Sequence, residues 1–311
     1  MRMRLLLFAL AVMSSLITSA SAAPVSFREL LGRPRPKPTE IVPYGASAHQ
    51  FGELWLPSGR GPFRTLVLIH GGCWLAALPG TELMAYLAAD LQAQGYAVWN
   101  IEYRRIGEPG GGYPGTFQDT AMAIDKLREL APKHKLDLSH LVAVGHSAGG
   151  HLALWAAARR KLVKESPIGT VDPLAIHGVV SLAGIADLEA FREDGPPACG
   201  GPPTIDAIAG ASRGGNPYLD TSPAALLPLG VPQAVISAAL DPIVPAKFGM
   251  DYAMAAAAAG DKVRELTITD AGHFELIDPT SAAWVKIRLE IDIMTGKTPA
   301  PPLPTPTHPK L

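Results

Sequence analysis

The sequence predicts an α/β domain whose mainly parallel central sheet is flanked by helices, with an irregular, lid-like insertion late in the chain. Three observations carry this prediction. Short apolar runs alternate with helix-spaced segments over most of the length, as they do where parallel strands are joined by helical crossovers. The residues with chemical character (His70-Gly71-Gly72, Ser147, Asp241 and His273) each fall just after such a run, and open α/β sheets gather ligands at the carboxyl ends of their strands. The chain has 311 residues, 48% of them hydrophobic, enough for one sizeable core.

Residues 1–22 read as a signal peptide: Arg2 and Arg4 form a basic start, an apolar stretch runs from Leu5 to Ile17, and Ala20 and Ala22 fit a small-residue cleavage pattern. The apolar stretch is short for a bilayer span. The expectation is therefore a protein cleaved near Ala22, periplasmic or secreted, without stable membrane insertion. Residues 23–43 form a Pro/Arg-rich lead-in, in which Arg33-Pro34-Arg35-Pro36-Lys37-Pro38 suggests extended, poorly ordered chain. The domain proper is placed at 44–296.

Within it, strands are predicted at 51–56, 65–69, 97–101, 141–144, 179–182, 231–238 and 263–269. Helices are predicted at 82–94, 116–130, from Ala148 to about Arg159, at 245–259 and at 284–294. Gly110 to Gly115 formally spells G-x-G-x-x-G, but it does not directly follow a strand and contains Pro114, so it reads as a loop. Residues 184–223 have only short helical hints, and an insertion of that length reads as a lid or pocket wall. Residues 297–311 are a Pro-rich tail with no core-forming pattern. A net charge of −1 offers no electrostatic case for nucleic acid or an anionic membrane surface. Composition leaves the oligomeric state open.

The chemistry centres on Gly145-His146-Ser147-Ala148-Gly149, a Gly-x-Ser-x-Gly turn between an apolar run and an Ala/Leu-rich helix, the context in which that motif presents a serine nucleophile. A serine needs a base in reach, oriented by a third group. His273 follows the last strand and Asp241 the one before it. Asp187 and Asp270 compete with Asp241, but Asp187 follows an earlier strand and Asp270 is too close to His273 to come from a separate strand end. His146 and His151 flank the serine on residues expected to point away from the turn's tip, and they read as packing or surface groups. The backbone N–H groups of Gly72, Cys73 and Ala148 are the candidate oxyanion hole. Trp74, Leu75, Tyr113 and Ile185 are candidate pocket walls, with core packing an equal reading. Cys73 and Cys199 are the only cysteines, and export would allow them to pair and tether the insertion to the site. No metal-ligand spacing is present and no cofactor is implied.

Taken together, Tyr44-Gly45, Leu54-Trp55-Leu56-Pro57, His70-Gly71-Gly72-Cys73-Trp74, Glu102-Tyr103-Arg104, Gly145 to Gly150, Asp241-Pro242-Ile243-Val244-Pro245 and Gly272-His273-Phe274 resemble the α/β-hydrolase superfamily. The order Ser, Asp, His is that superfamily's order and favours Asp241. Within it the chain looks like the esterase and arylformamidase (kynurenine formamidase-like) branch, with kinship to bacterial xylan and feruloyl esterases. The resemblance spans about residues 44–294. It implies an α/β-hydrolase fold and a serine esterase acting through an acyl-enzyme on a small-molecule ester, and the expected export favours an extracellular ester such as an acylated sugar or a plant-derived aryl ester. Aryl-formamide or peptide hydrolysis is the alternative within enzymes, and a non-catalytic binding module the alternative outside them.

Overall fold

An eight-stranded sheet runs through the computed structural model, which describes residues 24–299. The expected signal peptide at 1–22 and residues 300–311 of the expected tail lie outside the described residues. The strands are β1 (Glu40–Pro43), β2 (Phe51–Trp55), β3 (Phe63–Ile69), β4 (Ala97–Ile101), β5 (Leu136–His146), β6 (Gly178–Leu182), β7 (Gln233–Ala238) and β8 (Val263–Ile268). Across the sheet they lie in the order β1-β2-β4-β3-β5-β6-β7-β8. The pairs β1–β2 and β2–β4 are antiparallel, and every pair from β4–β3 to β7–β8 is parallel.

The helices are α1 (Phe27–Leu31), α2 (Ala85–Ala93), α3 (Gly115–Asp125), α4 (Leu127–His134), α5 (Ala148–Ala158), α6 (Leu188–Asp194), α7 (Pro202–Ala209), α8 (Ala246–Ala258) and α9 (Ala283–Met294). Helical cover explains why Leu66 to Ile69 of β3 and Leu141 to Val144 of β5 are continuous apolar runs with no solvent exposure. Helix α5 is buried along its whole length, which its Ala, Gly and Leu composition allows. In register, Gly145 on β5 faces Ile69 on β3, and His146 faces Leu182 on β6. The three central strands therefore end level, and the loops leaving them meet at one place.

Three expectations change. The lead-in is ordered: Ser26 and Glu29 form a capping box that starts α1, and β1 adds to the sheet edge. Two of its arginines are anchors: Arg33 grips Asp278 with two bonds of 2.7 Å and Arg35 meets Glu53 at 2.6 Å. The single helix expected at 116–130 is divided into α3 and α4 and runs on to His134. The insertion contains two helices, α6 and α7, cross-linked by a bidentate Arg192–Asp206 pair. They are only seven and eight residues long, too short for a clear periodic signal. Among the described residues no helix is long and apolar enough to cross a membrane.

Candidate active site

Strand β5 delivers Ser147 and α5 leaves from it. Ser147 adopts φ 56°, ψ −120°, a conformation that an L-residue holds only when its surroundings force it. The flanking glycines are forced by contact. A Cβ on Gly145 would lie 2.0 Å from the Gly149 carbonyl oxygen, and one on Gly149 would lie 2.0 Å from that of Ile69. A Cβ on Gly150 would lie 2.6 Å from Gly184 Cα, so the start of α5 is pressed against the loop after β6.

Asp241 and His273 meet where β7 and β8 end. The His273 Nδ1–H donates to Asp241 Oδ2 at 2.5 Å, and Asp241 Oδ1 accepts the N–H groups of Ile243 and Val244 at 2.8 and 2.9 Å. The two rival acids are elsewhere: Asp187 caps α6 by accepting the Ala190 N–H, and Asp270 is exposed. Ser147 and His273 line one cavity, of about 130 Å³, together with Gly72 and Cys73. Among the described residues no acceptor pairs with the backbone N–H of Gly72, Cys73 or Ala148. Such donors are free for a developing anion.

Cys73 and Cys199 are joined by a disulfide. It ties the loop after β3 to the insertion, and Ala198, beside Cys199, is part of the cavity wall. None of the four expected wall residues lines this cavity. Trp74 is fully buried with its ring edge-on to His151, and Ile185 is buried in the core. Leu75 bridges to Ile106, and the Tyr113 ring lies under the Arg213 guanidinium at 4.3 Å. The walls are instead Phe27, Leu78, Pro79, Leu83, Ile243 and Phe274, along with Ala198. Phe27 comes from the lead-in helix, and nothing in its local sequence signals a partner nearly 250 positions away.

His146 also has a larger place than its sequence position suggested. Its ring lines the cavity and its Nε2–H donates to the His273 backbone carbonyl at 3.0 Å, so the serine strand holds the loop that carries the histidine. Burial, reinforced by the neighbouring His273, pushes its ring well below the usual imidazole range, and it stays neutral. His151 is likewise buried; burial lowers it to about 4, against the opposing effect of its bond to the Thr221 carbonyl.

Beneath the loop after β3, His70 stacks on Tyr103 at 4.3 Å and donates its Nε2–H to Glu102 at 2.8 Å. Burial would raise the Glu102 carboxyl, but His70, Arg105 and the Tyr103 N–H outweigh it and hold the group at about 2. The Tyr103 hydroxyl donates to the His70 carbonyl. His70 thus braces the glycine-rich loop from below and does not line the cavity.

A parallel sheet with a strained serine after a central strand and an Asp–His pair after later strands defines the α/β-hydrolase class. The chain belongs to the BD-FAE family, whose model matches residues 53–248. A curated relative, Hydrolase LUC6 of a Fusarium species, is 30% identical over 204 residues, which are 60% of this chain and 42% of that protein. The chain thus spans about two fifths of that relative's length. Among solved structures, esterase B from Lactobacillus rhamnosis matches with a TM-score of 0.73 at 20% identity, over 87% of this chain and 91% of its own. A truncated carbohydrate esterase from gut microbiota gives 0.67 at 19%, over 85% and 98%. A butyrate-bound esterase from Thermogutta terrifontis gives 0.66 at 18%, over 83% and 94%. At these identities the likeness is one of fold.

Proposed function

We propose that the protein is an exported serine hydrolase that cleaves carboxylic esters through an acyl-enzyme. The observation that carries this is the meeting of Ser147, an Asp241-bound His273 and unpaired backbone N–H groups at one cavity. His273 Nε2 takes the Ser147 proton as Oγ attacks the ester carbonyl, and returns it to the departing alcohol. Asp241 fixes the tautomer and stabilises the imidazolium, held in place by its two backbone donors. Gly72, Cys73 and Ala148 N–H groups receive the oxyanion, each such donor being worth about 10²–10³ in turnover. Water then repeats the sequence on the acyl-enzyme.

The basic, apolar and small-residue segments of 1–22 support export, and N-terminal sequencing of the purified protein tests it. The likeness to a carbohydrate esterase supports an acylated sugar as one alcohol class. The test of the activity is hydrolysis of short p-nitrophenyl esters and labelling by a fluorophosphonate probe. The expected result is wild-type turnover, a loss of about 10⁶ in kcat for Ser147→Ala and a loss of about 10⁴ for Asp241→Asn. A wild type that neither turns over these esters nor takes the label overturns the reading.

A further inference from the structure

Residues 24–33 form an arm clasped along the loop that carries His273. The Val25 N–H donates to Glu275 Oε1, and Oε2 of the same carboxylate accepts the Gly272 N–H at 3.0 Å. Pro24 is packed so closely on Gly272 that a Cβ there would lie 2.6 Å from it. The Phe27 and Phe274 ring centroids are 6.0 Å apart, and Arg33 closes the clasp on Asp278. From this arm Phe27 reaches the cavity that holds Ser147 and His273.

We propose that Phe27 is a specificity-determining residue, the arm's wall of an acyl pocket that admits short, apolar acyl groups. The inference rests on the ester-hydrolase reading above. Apart from Ser147, His146 and His273, the cavity's side chains are apolar. A sugar hydroxyl or charged group placed against the apolar walls would lose its hydration without a side-chain partner there. The acyl chain therefore takes the cavity, and the alcohol part lies toward solvent. Size sets the length. A protein cavity of about 150 Å³ holds benzene, so the 130 Å³ here accommodates about four to six carbons. Leu78, Pro79, Ile243 and Phe274 are half-buried like Phe27, but they stand on the loops that carry the oxyanion donors, Asp241 and His273. Phe27 stands on the arm and can be changed without altering those loops. Leu83, by contrast, is buried in the core.

The experiment measures kcat/KM of the full chain on p-nitrophenyl acetate, butyrate, hexanoate and octanoate, which share one leaving group. Wild type is expected to decline beyond hexanoate. Phe27→Ala is expected to raise the octanoate-to-butyrate ratio at least about tenfold, the scale at which a pocket distinguishes one or two methylenes. Phe27→Trp is expected to move preference the other way, toward acetate. An arm that merely works loose would shift both variants in the same direction, and that result overturns the proposal. So does an unmoved ratio in an active Phe27→Ala. If Phe27→Ala does not fold, Phe27→Trp decides alone, and an unmoved ratio there overturns it too. A wild type inactive on the whole series overturns the esterase reading and this inference with it. That outcome differs from failure of the inference alone, in which wild type is active and the ratios stay put.

Discussion

At the scale of single residues, the site depends on side chains that are missing as much as on those present. Gly149 touches the Ile69 and His70 carbonyls so closely that even a methyl group cannot be added. Gly149→Ala is therefore expected to push α5 away from the loop after β3. Activity should fall by at least about a hundredfold, the value of one misplaced oxyanion donor, and the melting temperature should fall with it. A variant with wild-type kcat would contradict the contact argument. These glycines were readable in the sequence because the motif names them. Ser147, Asp241 and His273 were readable because each follows an apolar run that had to be a strand. The cavity walls were not. Phe27 and Phe274 meet only through the fold, and Trp74, which follows the glycine-rich loop after β3 in sequence, turns inward to His151. His146 was passed over because neighbours of the serine point away from its tip. What it contacts there, the carbonyl of His273, is set by the separate path of β8.

At the scale of elements, the disulfide joins two pieces that the sheet does not hold together. Cys73 lines the cavity, and its side chain is bonded to a turn that also supplies Ala198 to the wall. Removing a native disulfide costs about 2–5 kcal/mol. Here, loss of the link should also free the insertion and relax the loop. Reduction, or the double substitution Cys73→Ser and Cys199→Ser, is expected to lower both the melting temperature and kcat. A double variant with unchanged kcat and a lower melting temperature would restrict the bond to stability. The pairing was expected from two cysteines and a segment at 1–22 that reads as a signal peptide. The helices it restrains were not: α6 and α7 are set by an Asp187 cap, an Arg192–Asp206 pair and bounding glycines, and each is too short to print a period.

At the scale of the whole molecule, buried ionisable groups give the fold a two-step response to acid. His151 titrates at about 4 when folded and from an ordinary value of 6.5 when unfolded, so between these the unfolded chain binds the extra proton. Its contribution is complete above pH 6.5 and is lost as pH falls toward 4; His146 acts in the same direction. Glu102, at about 2 folded against 4.5, adds a second decline from pH 4.5 downward. Urea midpoints measured from pH 7.5 to pH 3 should fall in both windows, and Glu102→Gln should flatten the lower one. A midpoint that holds constant from pH 6.5 to 4.5 would contradict the first step. The parallel sheet itself was legible from alternating runs. The exchange of β3 and β4 in the strand order was not, because crossover choice leaves no mark on local composition.

The clasp between the arm and the His273 loop joins segments far apart in sequence, since Val25 and Glu275 are 250 positions apart. During synthesis the arm precedes its dock by about 250 positions. Until the dock is made, Phe27 has no seat, the histidine is not yet made, and the cavity has an open side. A nascent or C-terminally truncated chain can thus possess the serine, its elbow and the glycine-rich loop and still have no reaction chamber. The arrival of the His273 loop is the step that closes the chamber, and a hydrolase with this layout stays inert until the arm has met that loop.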